Sequence, residues 1–321
     1  MGWLGFGLAL LGAANAAEPD VSPVFLIKRM VAATSALNYQ GVFVYQRGNQ
    51  IDSMRILHRL NGDTEVERLV SLSGPAREVI RKGDEVRCLF PDDKEGMVEK
   101  IQPKDFFAFG LSTSIEEIDQ HYRLQVAGKP RIAGRNSIAI SIVPEQSDRY
   151  AYQLVVDEDH GLLLKSAVYD RNGRVLEQVQ FAEISIGEHI PMSEFEPQLN
   201  GDEYTWHTSQ ADHPQNNVTQ GTHRWSASWL PSGFEMRNEM TQQFANEKSP
   251  VSHLVYTDGV AMVSIFVEED SQRSTPRESD YSSLGAVNAM SIKQDSNLIT
   301  VVGELPLATL QRIAGSVGPI D

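Results

Sequence analysis

One cysteine stands in 321 residues, so no disulfide can form within the chain. Cys88 sits in the alternating run "EVRCLF" and reads as a small hydrophobe rather than a nucleophile, because no base or cluster of cations lies beside it. Basic residues are also in short supply, 28 against 43 acidic ones, for a net charge of -15. A nucleic-acid binder needs basic patches for phosphate, so that class is excluded. No run reaches the roughly 20 apolar residues needed to span a bilayer as a helix. Enzyme signatures are missing as well: there is no G-x-S-x-G, no H-E-x-x-H and no G-x-x-x-x-G-K. What remains is ordinary for a chain with a real core: 41% hydrophobic residues and 22% charged, over a length that predicts about two domains.

The first residues read "MGWLGFGLALLGAANAAEPD". An apolar run followed by Ala14-Asn15-Ala16 predicts a secretory signal over residues 1–17, although no Lys or Arg precedes the run. Ser22 then offers an N-cap and Pro23 a first helical position. Val24, Ile27, Val31, Thr34 and Leu37 recur at helical spacing and predict one amphipathic helix.

From Gln40 the period changes to two. "GVFVYQR", "SMRILHRL", "EVERLVSL", "REVIRK", "EVRCLF" and "GMVEKI" are separated by Gly- and Asn-rich turns, and a second series runs from "YRLQVAG" to "RVLEQVQFAEI". Tight turns at close spacing predict an antiparallel meander of about eleven or twelve strands. It is interrupted by "KDFFAFGL" and by the capping box Ser114–Glu117, which predict a short helical excursion. Residues 18–190 therefore form a large β domain. Residues 191–220 hold no Lys or Arg and few apolar side chains, which predicts an exposed connector. Residues 221–321 form a smaller α+β domain: a hairpin around Asp258-Gly259, another around Asp295–Asn297, and a closing helix with Leu307, Leu310, Ala314 and Val317 on one face.

The most chemically suggestive cluster is Asp157, Glu158, Asp159 and His160. Counted as a calcium loop from Asp157, the glycine falls at position five instead of six, and position twelve is Val168. The spacing fails, and the cluster reads as the polar tip of a hairpin; Asn172-Gly173 then predicts a second, type I′ turn. No metal or cofactor is expected. Two aromatic groups carry the remaining functional options. Phe106, Phe107, Phe109 and the nearby Leu111 are candidates to line a lipid pocket, or to plug the core. Trp225, Trp229 and Phe234 are candidates for a partner-binding face, or for the core of the small domain.

Several stretches in one order carry a resemblance: "GPAREVIRKGDEV" (Gly74–Val86), "RYAYQLVVDEDHGLLLKSAVYDRNGRVLEQVQF" (Arg149–Phe181), "WSASWLPSGF" (Trp225–Phe234), "VYTDG" (Val255–Gly259) and "VVGELPLATLQRIA" (Val301–Ala314). The chain resembles the RseB/MucB family, periplasmic regulators of the envelope-stress sigma factor E in Gram-negative bacteria. The resemblance implies a mainly β (α+β) protein: a large unclosed antiparallel β-barrel of lipoprotein-carrier type, plugged by helices, and a smaller C-terminal α+β domain. It implies no enzyme activity but negative regulation. The partner would be the periplasmic domain of a membrane-spanning anti-sigma factor, shielded from site-1 proteolysis and released when lipid or lipopolysaccharide binds. It also allows a homodimer. Against a net charge of -15, an anionic head group would have to be met by local cations such as Arg77, Arg81 and Lys82, or be bridged by divalent cations. The alternative is a periplasmic lipid or lipoprotein carrier, for which the second domain would be superfluous.

Overall fold

A computed structural model describes residues 21–100, 118–197, 205–208, 224–242, 250–269 and 280–320. Helix α1 (Pro23–Ala36) starts where expected, with Pro23 in its first turn. Ser22 makes no side-chain cap; its carbonyl instead accepts the Leu26 N–H at 3.1 Å. The buried stripe is Leu26, Ile27, Met30 and Ala33, one step round from the predicted one, and Val24 and Val31 flank it.

The large domain then lays down β1 (Tyr39–Arg47), β2 (Gln50–Asn61), β3 (Thr64–Ser71), β4 (Glu78–Lys82), β5 (Glu85–Phe90), β6 (Glu95–Lys100), β7 (Tyr122–Gly128), β8 (Arg131–Ile132), β9 (Arg135–Pro144), β10 (Ala151–Asp157), β11 (Leu163–Tyr169) and β12 (Val175–Ile186). Strands β1 to β6 and β8 to β12 pair antiparallel in sequence, β7 pairs with β9, and β1 pairs with β12, which joins the two halves of the meander. With β13 (Thr205–Thr208) the sheet has 13 strands, in the order β13-β6-β5-β4-β3-β2-β1-β12-β11-β10-β9-β7, with β8 attached to β9. Among the described residues the end strands β13 and β7 do not pair, so the barrel is unclosed, as the family resemblance implies.

Successive residues of a strand point to opposite faces, so pairing defines two faces. The inner face is the one covered by α1: Leu26, Ile27 and Met30 pack on Ile138, Ile140, Ile142, Tyr152, Leu154, Val156 and Val168. Followed across β12 and β1, the same face carries Tyr39 opposite His58, then Glu67, then Arg81.

Of the connector, residues 191–197 and 205–208 are described, and both stretches contact the large sheet. A 3-10 turn at Met192–Phe195 seats Phe195, 0% exposed, on Leu57 and Val66 of the outer face. Arg59 Nη1 donates to the Ile190 carbonyl (2.6 Å), Arg68 Nη1 to the Glu194 carbonyl (2.7 Å), and Lys82 pairs with Glu196 (3.2 Å). Further along, Thr205–Thr208 adds to the sheet as β13, parallel to β6. There the Trp206 ring lies on Gly96, where a Cβ would come within 2.8 Å of it. Residues Pro191–Glu196 thus form a strap on the outer face, held by the buried Phe195 and by hydrogen bonds and an ion pair to the sheet.

The small domain comprises β14 (Trp225–Ala227), β15 (Glu235–Gln242), β16 (Val251–Thr257), β17 (Met262–Glu269), β18 (Asp280–Leu284), β19 (Val287–Gln294), β20 (Asn297–Gly303), α2 (Leu307–Ala314) and β21 (Val317–Pro319). Six strands form an antiparallel sheet, β15-β16-β17-β20-β19-β18, and β14 pairs with β21. Leu310, Ile313 and Ala314 of α2 bury against Val263, Ile265, Ile299 and Val301. Val317, predicted as helical, lies beyond Gly315 in β21.

Candidate functional site

The domains meet through a buried polar clasp. Arg149, in the β9–β10 connection, is 4% exposed, and a guanidinium taken out of water has to be paired. Its Nη1 donates to Asp258 Oδ2 (2.6 Å) and its Nη2 to the Ser232 carbonyl, both in the small domain. Tyr122 Oη donates to the same Asp258 Oδ2 at 2.7 Å. Asp258 Oδ1 accepts the N–H groups of Val260 (3.0 Å) and Ala261 (2.8 Å), so the hairpin turn aims the carboxylate. The guanidinium also lies over the rings of Tyr122 (5.4 Å) and Phe234 (5.3 Å). Burial, and then the Asp258 charge, push the Tyr122 phenol well above its ordinary range, so it remains a donor. Nearby, Asn288 Nδ2 donates to Tyr150 Oη (2.9 Å), and Thr309 Oγ1 to the Asp148 carbonyl (2.9 Å). Val260 and Ala286 complete the core beneath α1.

Beside the clasp the domains enclose a cleft of about 900 Å³. Asp148, Arg149, Arg171, Trp229, Asn288 and Arg312 are among its walls. The exposed Arg312 guanidinium stacks on the half-buried Trp229 ring at 3.8 Å. A tryptophan seated in a cleft and stacked by an arginine is the kind of surface that anchors a polypeptide partner. Arg171 and Asn172 come from the β11–β12 turn. That turn is not type I′: Gly173 has φ +78° while Asn172 does not adopt positive φ. Asp170 organises it instead, accepting the N–H groups of Asn172 and Arg174 on Oδ1, both at 2.9 Å, and of Gly173 on its carbonyl, also at 2.9 Å. An aspartate two residues before Asn-Gly competes with the two-residue turn by capping a longer one.

Of the three aromatic candidates in the small domain, Trp229 lines the cleft and also packs against the core of the small domain. Trp225 on β14 and Phe234, 8% exposed, pack with the core of the small domain, and Phe234 also backs the clasp. Phe106, Phe107, Phe109 and Leu111 lie outside the described residues.

The acidic cluster does converge: ligand atoms of Asp157, Asp159 and His160 lie within 4.8 Å of one another. Its most buried acceptor is already engaged. Asp157 Oδ2 takes Arg135 Nε at 2.6 Å, and Oδ1 takes the His160 N–H at 2.7 Å with His160 Nδ1 at 2.8 Å. Burial works to raise the Asp157 carboxyl, but the bonds from Arg135 and His160 outweigh it and hold the group below its usual range. Arg29 Nη1 of α1 donates to the Glu158 carbonyl at 3.0 Å. The cluster is a hairpin tip clamped by two arginines.

The cationic trio separates. Arg81 faces inward, 5% exposed, with Nε on Glu67 (2.8 Å) and Nη2 on Glu65 (2.5 Å). Lys82 faces outward to Glu196, and Arg77 lies just before the strand begins. Neighbours in a strand point to opposite faces, so consecutive cations cannot form one patch. Tyr122, Arg149 and Asp258 were not singled out by sequence reading. An Asp-Gly turn looks the same whether its carboxylate is solvated or buried, and no local pattern marks the arginine that meets it.

The structure is thus an unclosed β-barrel joined to a smaller α+β domain by a buried clasp, with a Trp–Arg-lined cleft between them. Residues 22–199 match the MucB/RseB N-terminal domain and residues 219–318 the MucB/RseB C-terminal domain. The chain belongs to the MucB/RseB family. It is 28% identical over 296 residues to the sigma factor AlgU regulatory protein MucB of Pseudomonas aeruginosa, covering 91% of this chain and 90% of that one. It is 26% identical over 315 residues to the sigma-E factor regulatory protein RseB of Escherichia coli K12, covering 96% and 94%. The solved structure of MucB in complex with MucA(peri) is similar over 94% of this chain and 100% of that one, at 27% identity and TM-score 0.73. A further crystal structure of MucB gives 0.59 over 96% and 99%, at 25% identity.

Proposed function

We propose that the protein is a negative regulator of a sigma-E-type envelope stress response and not an enzyme. It binds the periplasmic domain of a membrane-spanning anti-sigma factor, shields it from site-1 proteolysis, and is released when lipid or lipopolysaccharide binds. The observation that carries this reading is the match of both domains, in one arrangement at TM-score 0.73, to MucB bound to MucA(peri). Periplasmic residence follows from the partner, and no helix among the described residues is long and apolar enough to cross a membrane. The cleft supplies a docking surface whose Trp229–Arg312 stack is its anchor. Release needs only that the lipid-loaded form bind the partner more weakly. A lipid carrier would leave the clasped second domain without a role.

The test is cleavage of the anti-sigma factor's periplasmic domain by the site-1 protease. Excess protein should slow it, and unchanged cleavage would overturn the reading. Trp229→Ala should weaken partner binding about tenfold or more, as loss of an interface anchor does, measured by calorimetry.

A further inference from the structure

Where β1 meets β2 on the inner face of the barrel, two deeply buried polar atoms have no hydrogen-bond partner among the described residues: Tyr39 Oη and His58 Nε2. Tyr39 is 2% exposed and His58 1%. Buried polar groups are nearly always paired, so two orphans on one patch call for an explanation. The residues face each other across β1 and β2, and their rings stack with centroids 4.7 Å apart and an interplanar angle of 13°. Stacked rings on facing positions of paired strands place the two residues on one patch of the inner face.

The protonation of His58 is set by its other nitrogen. Nδ1 lies 2.7 Å from the Leu37 carbonyl, which can only accept, so Nδ1 carries the hydrogen. In the neutral ring Nε2 is then a bare acceptor. Tyr39 Oη both donates and accepts. The pair therefore presents one acceptor and one donor–acceptor.

The surroundings narrow the ligand further. Along the same row come Glu67 and Arg81, but the Arg81 guanidinium is taken up by Glu67 and Glu65 and has no charge to spare for an anion. A carboxylate or phosphate at the pair would meet the Nε2 lone pair and the Glu67 charge. The adjacent row on this face is apolar: Ile56, Leu69, Val79, Cys88 and Met97, of which Leu69, Cys88 and Met97 are only half-buried. A neutral hydroxyl on an aliphatic chain satisfies every one of these conditions.

We propose that Tyr39 and His58 are the polar anchor of an inner-face site for an acyl chain bearing a hydroxyl group, the hydroxyl donating to His58 Nε2 and accepting from Tyr39 Oη. The proposal rests on the lipid-release part of the function above and names the ligand feature that part would recognise. No sequence pattern marks it, because Tyr39 and His58 are brought together only by the β1–β2 pairing.

The test is competition for a fluorescent polyene fatty acid bound to the full chain, using hydroxydodecanoic acids with the hydroxyl at successive positions, and dodecanoic acid. One hydroxylated isomer should displace the probe about tenfold better than the plain acid, the worth of one to two net hydrogen bonds. Tyr39→Phe, which keeps the ring and its stacking, should bring the two acids together. Equal displacement by all acids in the unaltered chain overturns the inference and leaves lipid release standing; this comparison needs no variant to fold. A preference that persists in Tyr39→Phe, with melting unchanged, overturns it too. Failure of the chain to bind any of the acids or the probe overturns both the inference and the lipid part of the proposed function, while partner protection is judged separately by the protease assay.

Discussion

The two halves of the large sheet are built on opposite principles. On the β7–β11 side the inner face is mainly aliphatic, Ile138, Ile140, Ile142, Leu154 and Val156 beside Tyr122, Tyr152 and Ser166, and is sealed by Leu26, Ile27 and Met30 of α1. On the β1–β6 side the same face carries Tyr39, His58, Glu67 and Arg81 between rows of aliphatic residues. The outer face of that half is closed not by a helix but by the strap, through Phe195 and the pair Arg68–Glu78. Apolar packing is non-directional and tolerates many arrangements. Buried ion pairs and aimed polar atoms are directional, and they cost stability unless every partner is in place. One half therefore reads as scaffold and clasp platform, the other as the place where chemistry can be recognised.

The comparison can be broken at several points. The largest effect is expected from Arg81→Met, which strands the Glu67 carboxylate and should cost about 3–5 kcal/mol. Adding Glu67→Leu should recover much of that in denaturant titration, because an apolar replacement of the pair needs no partners. If the double variant is as unstable as the single one, the ion pair is not what distinguishes this half. Phe195→Ala should cost about 3 kcal/mol, the usual loss for a fully buried phenylalanine, and should open residues around Met192–Phe195 to protease before the barrel melts. Simultaneous loss of strap and barrel would show that the strap is part of the core.

A smaller effect concerns the apolar half, where Arg135 clamps Asp157 at a strand end. The folded Asp157 carboxyl titrates below the ordinary aspartate value of 3.8. Its contribution is thus fully present above that value and lost as pH falls through the lower, folded one. Asp157→Asn should be less stable than the unaltered chain at neutral pH, with the gap closing below about pH 4 in thermal melts. A gap independent of pH would place the role of Asp157 in turn geometry rather than charge. The smallest change, Gly96→Ala, removes the seat of the Trp206 ring and should cost about 1 kcal/mol or less. Tryptophan fluorescence should shift as β13 lifts from β6.

Much of the scaffold was legible without coordinates, for identifiable reasons. Alternation of period two, glycine-bearing turns and the Pro23 start are local signals, each written within a few residues. They determine the strands, the first helix, the antiparallel meander and the separate small domain, while the unclosed barrel and the plugging role of the helix were implied by the family resemblance. The same reasoning weighed against the metal reading of Asp157–His160 by spacing alone. Its errors were local too. Asp170 competes with the Asn172-Gly173 turn, and a count of apolar residues could not show that Pro191–Glu196 is held on the sheet by Phe195, hydrogen bonds and an ion pair.

What only the tertiary structure decided is which distant residues meet. Arg149 and Asp258 are 109 positions apart and Tyr122 and Asp258 are 136 apart, yet they share one carboxylate oxygen. The Trp229–Arg312 stack, the strap and the stacked Tyr39–His58 pair likewise depend on how the sheet curls and where the second domain docks. Local spacing carries the period of a strand, but not the burial of a side chain or the identity of its partner. Those follow from long-range packing, and in this protein the candidate binding surfaces are made of them.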